Sequence, residues 1–274
     1  MTLLDVPVSP AGRAGLIALL DQPREALIGL DFDGTLAPIV PDPRDSRVLP
    51  GIIPVLTRLA GPVGTLAVIT GRGVSEVVDL GGLAEVPGIV VLGHYGAERW
   101  QDGKVTAPEV PPAVERARQA LPGLLRDTDA PAGTWIEDKH YSLAVHTRRT
   151  ADPDAALELL RGPLTALATE LGLAAEPGRR VVELRPGHAD KGSALIGLVR
   201  ETSASSDIYC GDDLGDLPAF AAVRTLRGEG IPGCAVASGS EETRGVAAEA
   251  DLVVAGPGGI LRLLGEIAAA IEGR

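Results

Sequence analysis

The chain has 274 residues, a formal net charge of -12, 45% hydrophobic residues and only 3% aromatic ones. That length suits one large domain or two modest ones, with a core built from Leu, Val, Ile and Ala. The acidic balance repels phosphate backbones and anionic lipid, so neither nucleic acid nor a membrane is an expected partner. Only Cys210 and Cys234 occur, outside any close Cys or His cluster, which excludes a thiolate zinc site; both are expected as core thiols. Leu16 to Leu20 is too short for an export signal and no run is apolar enough to span a membrane, so a cytoplasmic monomer is expected.

Residues 11–20 read as a leading helix, and 26–31, 65–70 and 89–93 as strands. Between the first two strands, 48–59 is apolar at helical spacing, with Pro50 near its start. Strand, helix, strand repetition implies a parallel, doubly wound α/β sheet. The pattern changes after about residue 100. There 135–139 and 142–147 read as an antiparallel hairpin, 155–171 as a helix capped by Asp152-Pro153-Asp154, and 181–184 as a short strand. This block reads as a smaller α+β module inserted at 106–186 between core segments 1–105 and 187–274. Pro108–Pro112 and Pro186-Gly187 are candidate hinges. Helices at 191–200 and 217–223, strands at 207–210, 234–237 and 251–254, and a closing helix at 260–271 resume the alternation.

Chemistry-bearing residues gather where these strands end. Asp31-Phe32-Asp33-Gly34-Thr35 follows the apolar run Ala26 to Leu30. Ligands bind at that end of an open α/β sheet, and two acids so close favour a cation. One acid can attack a phosphoryl group and the other can move the proton; Asp and Gly are also ordinary turn formers. Thr70-Gly71-Arg72 ends the second strand, where a hydroxyl and loop N–H groups can hold a phosphate oxygen and Arg72 can add charge or pair structurally. Lysine occurs only at Lys104, Lys139 and Lys191. Lys191 opens a helix, the end where the dipole disfavours a cation, which suggests a task at the reaction centre; a surface pair with Asp190 is the plainer alternative. Asp212, Asp213 and Asp216 cluster after another strand and suit Mg²⁺, although one such acid can equally cap the next helix. In the insert, Glu137, Lys139, Ser142, His146 and Glu183 sit on strand-like segments, with Ser142, Ala144 and His146 on one face. Such a face can read sugar hydroxyls, or can simply be solvated. His94 and His188 fall in strand-end loops.

The set Asp31/Asp33/Thr35, Thr70, Lys191 and Asp212/Asp216 resembles the haloacid dehalogenase-like phosphatase superfamily. The resemblance implies a Rossmann-like core, Asp31 as nucleophile and Asp33 as acid/base. It also implies Mg²⁺ held by Asp31, Asp212 and the Asp33 carbonyl, with Asp213 or Asp216 completing the shell. A narrower resemblance covers almost the whole chain. Glu137-x-Lys139-x-x-Ser142-x-x-x-His146-x-Arg148 looks like the cap motif of trehalose-6-phosphate phosphatases. Gly93-His94-Tyr95-Gly96-Ala97-Glu98 and Val182-Glu183-Leu184-Arg185-Pro186 fit the same family. One departure is Gly215-Asp216-Leu217, where that family usually has Thr-Asp-Glu. The implied function is Mg²⁺-dependent hydrolysis of trehalose 6-phosphate through an aspartyl-phosphate, with the cap choosing the substrate. Arg72, His94 and Arg185 join the cap residues as implied substrate contacts. Rival readings are a phosphatase of another sugar phosphate, a sugar phosphomutase, and an idle sugar-phosphate-binding regulatory subunit.

Overall fold

The computed structural model describes residues 8–187, 190–239 and 244–274, so His188 lies outside the described residues. The chain divides into two compact units, Met1–Thr106 with Asp190–Arg274, and Ala107–Ala189. Among the described residues no helix is long and apolar enough to cross a membrane.

The larger unit carries strands β1 (Ala26–Leu30), β2 (Thr65–Ile69), β3 (Val90–Gly93), β4 (Glu98–Gln101) and β5 (Lys104–Thr106) from its first segment. After β6 to β9 of the smaller unit, it adds β10 (Ser206–Gly211), β11 (Gly233–Gly239) and β12 (Leu252–Ala255). They form one sheet in the order β12-β11-β10-β1-β2-β3-β4-β5. Pairing is parallel from β12 to β3 and antiparallel through β4 and β5.

The parallel strands are apolar because both faces are covered. Ile28, Leu30, Val68 and Val236 pack with α1 (Pro10–Asp21), α2 (Ile52–Ala60) and α9 (Gly256–Glu272). Leu27, Ile69, Tyr209 and Ala235 face the other way, against α6 (Lys191–Thr202) and α7 (Leu217–Gly228). The shorter α3 (Val74–Gly81) and α8 (Arg244–Ala247) complete this unit. Both cysteines are free and buried, as expected of core thiols.

The chain leaves β1 toward β2 and leaves β10 toward β11, so the order reverses between two hydrogen-bonded neighbours. Their carboxyl ends define the topological switch point, where a doubly wound sheet opens a crevice.

The smaller unit is α4 (Pro112–Asp127), β6 (Trp135–Asp138), β7 (Leu143–His146), α5 (Pro153–Leu171), β8 (Leu173–Gly178) and β9 (Val181–Pro186). Its antiparallel sheet runs β6-β7-β9-β8. Leu143, Val145, Val182 and Leu184 pack on Val114, Leu121, Leu160 and Leu164 of the two helices. The alternate residues therefore make a second, polar face.

Several details differ from the sequence reading. α2 starts at Ile52 rather than at Val48, because Gly51 takes a left-handed φ of 99° as its N-cap. The β4–β5 hairpin, α3, α4 and β8 are additional elements. β4 and β5 turn at Asp102-Gly103, both at positive φ (49° and 77°), the geometry Asp-Gly favours in a tight hairpin. α4 carries Pro122 in its interior, and β8 carries Pro177, which an edge strand tolerates.

Candidate active site

Strand parity sets the first carboxylate. Leu27 faces α6 and α7, and a Cβ at Gly29 would meet the Tyr209 ring and Leu195 on that side. Asp31 continues that alternation one step past β1, its N–H donating to the Cys210 carbonyl at 2.8 Å. It therefore points to the start of α6. Asp190 caps this helix, accepting from the Ser193 N–H at 2.6 Å. The next residue, Lys191, turns inward, 5% exposed beside Asp31 at 4%.

The Lys191 ammonium donates to Asp31 Oδ1 at 2.6 Å and to Asp216 Oδ1 at 2.7 Å. This decides against a surface pair with Asp190. Burial opposes the Lys191 charge, but Asp216 and Asp31 outweigh it and hold the ammonium protonated well above its ordinary range. Asp216 also accepts from the Tyr209 hydroxyl at 2.7 Å and from the Asp212 and Asp213 N–H groups at 2.9 and 3.1 Å. Asp213 accepts from the Gly215 N–H at 2.8 Å and so braces its own loop.

Oxygens of Asp31, Asp212 and Asp216 all lie within 4.8 Å of one another. Burial, then repulsion from Asp213 and Asp216, pushes Asp212 up to about 7. Burial raises Asp31 as well, against the pull of Lys191, and it raises Asp213. Carboxyls this close ionise together only with a cation between them, so the donor set fits a hard divalent ion such as Mg²⁺. Gly34 (φ 77°) leaves the room: a Cβ there would collide with the Asp212 carboxylate. The Ser238 hydroxyl pins the Gly34 carbonyl at 2.7 Å.

Asp33 is held separately. Its Oδ2 accepts from Arg72 Nε at 2.6 Å, and its Oδ1 from Arg72 Nη2 at 2.9 Å and Ser46 Oγ at 3.0 Å. Arg72 also pairs with Glu76 of α3. Thr70 is buried past β2 and accepts from the Arg72 N–H at 3.2 Å; Thr35 is wholly buried. His94, at a left-handed φ of 48°, follows β3 with Nε2 3.6 Å from Glu98.

The polar face of the smaller sheet collects the remaining candidates. Ala144 of β7 pairs with Glu137 on one side and Glu183 on the other. Glu183 accepts from Ser142 Oγ at 2.5 Å and Lys139 Nζ at 3.1 Å. Glu137 meets His146 Nε2 at 2.7 Å, and this bond chiefly holds its carboxyl below the usual range. Arg148 Nη2 reaches His146 Nδ1 at 3.2 Å, and the imidazole stacks on Trp135 at 4.5 Å. Arg185 pairs with Glu176 at 3.4 Å on the same face.

Sequence reasoning missed Ser46, Tyr209 and Trp135. Tyr209 sits in a recognised strand, but its hydroxyl carries no periodic signal. Ser46 lies in a short polar loop with no pattern at all.

A family model for trehalose-phosphatase matches residues 29–252. The trehalose-phosphate phosphatase of Mycobacterium avium (strain 104) is 33% identical over 223 residues, covering 76% of this chain and 54% of that protein. The chain thus spans about half the length of that relative. An uncharacterized glycosyl hydrolase of Mycobacterium tuberculosis is 35% identical over 223 residues, which is 76% of this chain and 16% of that protein. Among solved structures, a trehalose-6-phosphate phosphatase of Aspergillus fumigatus aligns with 98% of this chain and 100% of that one, at TM-score 0.72 and 21% identity. A haloacid dehalogenase-like hydrolase of Bacteroides thetaiotaomicron covers 88% of this chain and 99% of its own at TM-score 0.58 and 18% identity. At these identities the structural likeness is one of fold.

Proposed function

The chain belongs to the trehalose-phosphatase family, and from that premise we propose that it hydrolyses trehalose 6-phosphate to trehalose and phosphate. The observation that carries this reading is the buried Asp31 carboxylate, oriented by Lys191 beside Asp212 at the switch point of the sheet. A binding module has no use for such a nucleophile, which speaks against an idle regulatory subunit.

In this reading an Asp31 oxygen attacks phosphorus, the bond to the sugar oxygen breaks, and an aspartyl-phosphate forms. Asp33 gives a proton to the departing sugar oxygen. It then takes one from the water that cleaves the aspartyl-phosphate. Lys191 and the Thr70 hydroxyl steady the phosphoryl oxygens as charge moves onto them. Asp31, Asp212 and the Asp33 carbonyl would hold Mg²⁺, which supplies positive charge against the phosphoryl group. Asp216, its oxygens taken by Lys191, Tyr209 and two N–H groups, keeps Lys191 in place. On the smaller sheet, Glu137, Lys139, Ser142, His146 and Glu183 offer the mixed donors and acceptors that a disaccharide's hydroxyls need.

Asp31→Asn keeps the shape and removes the nucleophile. It is expected to abolish phosphate release from trehalose 6-phosphate while circular dichroism stays native. Turnover comparable to wild type would refute the assignment. Conversion to an isomeric sugar phosphate without phosphate release would instead mark a mutase.

A further inference from the structure

Arg72 carries charge at the switch point, which makes it an obvious candidate to meet the substrate phosphate. Its hydrogen bonds lead elsewhere. Nε and Nη2 clasp the two oxygens of Asp33 at 2.6 and 2.9 Å, the planar fork-to-carboxylate match that a point charge cannot make. Nη1 pairs with Glu76, the backbone N–H donates to Thr70 Oγ1 at 3.2 Å, and the guanidinium lies 5.9 Å from the centre of the Phe32 ring. Ser46 comes from a different segment, the stretch before α2. It is fully buried, and its hydroxyl donates to Asp33 Oδ1 at 3.0 Å.

We propose that Arg72 and Ser46 are positioning residues for Asp33, fixing its carboxylate from two directions rather than contacting the sugar phosphate. Asp33 is part-exposed, at 34% of its side chain, so without this grip its carboxylate would be free to turn. A group that passes a proton to a leaving oxygen must lie within hydrogen-bond reach of it, and small misplacements are costly. Three donors on two oxygens leave one orientation. Because Arg72 is itself tied to Glu76 on α3, the grip is anchored in the fold rather than in the substrate.

The inference rests on the reading of Asp33 as acid/base, so its test carries Asp33→Asn beside Arg72→Met, Arg72→Lys and Ser46→Ala. Each is assayed with Mg²⁺ on trehalose 6-phosphate and on p-nitrophenyl phosphate. The second ester loses its leaving group without needing a proton. On trehalose 6-phosphate we expect kcat to fall about 10- to 100-fold in Arg72→Met and about fivefold in Ser46→Ala, with KM within about twofold. Arg72→Lys keeps the charge without the fork and should recover little of the loss. The first burst of p-nitrophenol should stay near wild type throughout. A raised KM at unchanged kcat would place Arg72 on the substrate and overturn the proposal. Equal losses in the burst and in turnover would overturn it as well. Wild-type behaviour of the Arg72 and Ser46 variants beside an inactive Asp33→Asn would sink the grip alone. Full turnover by Asp33→Asn would remove the acid/base reading and the inference with it.

Discussion

Asp207 is a carboxylic acid placed where the described residues give it nothing to bond. It lies in β10 opposite Gly233, is wholly buried, and neither of its oxygens has a hydrogen-bond partner among the described residues. Gly233 makes the room, since a Cβ there would sit 2.5 Å from Asp207 Oδ1. Arg227, whose charge acts on Asp207, donates from Nε to the Gly233 carbonyl and from Nη2 to Asp251 instead. Burial, with repulsion from Asp251 added and Arg227 opposing, pushes Asp207 from the ordinary 3.8 up to about 7. The folded chain then keeps a proton that the unfolded chain has already lost. Stability therefore falls as pH rises from 3.8 to about 7 and levels off above. At roughly 1.4 kcal/mol per pH unit, the full loss is on the order of 4 kcal/mol. Asp207→Asn imitates the protonated form at every pH. Its advantage over wild type should grow by about 2 kcal/mol between about pH 5.5 and about pH 8. In thermal melts that growth is worth about 4–8 °C for a chain of this size. The growth with pH is the diagnostic quantity, because any fixed cost of the asparagine amide cancels from it. Paired urea and thermal melts across this range, kept above the sequence pI of about 4.8, measure it directly. A gap between variant and wild type that stays flat or narrows as pH rises would show that Asp207 is solvated or partnered after all.

Two further outcomes concern the site itself. Mg²⁺ should raise the melting temperature of the wild-type protein but not of Asp212→Asn, and EDTA should silence phosphate release until Mg²⁺ is restored. Activity indifferent to the chelator would end the metal assignment. Glu183→Ala and Lys139→Ala should each lower kcat/KM for trehalose 6-phosphate by about 10- to 100-fold, the range for a charged hydrogen bond, and spare a small phosphate ester. Matching losses on both substrates would mean that the polar face of the smaller sheet does not read the sugar.

The central strands were legible because a strand covered on both faces must be apolar throughout, so Asp31, Thr70 and Asp212 stand out where the runs end. The edges were not. β4 is short and half-buried and β5 is short and exposed, both are mostly polar, and only the Asp102-Gly103 turn betrays them. The positions of Asp31, Lys191 and Asp216 could be read, but not their partnership, because the Lys191 ammonium meets an acid 160 residues away. Partnership decides roles. By type and spacing, Asp213 and Asp216 were equal candidates to complete a metal shell. In the fold Asp216 accepts four hydrogen bonds, two on each oxygen, from Lys191, Tyr209, Asp212 and Asp213. A carboxylate has about four lone-pair positions, so this one is saturated. A cation could take an Asp216 oxygen only by displacing the ammonium that orients Asp31 or the N–H groups that shape the Asp212 loop. Under the proposed mechanism Asp216 would therefore act through its neighbours, and the direct ligands are best sought at Asp31, Asp212 and the Asp33 carbonyl.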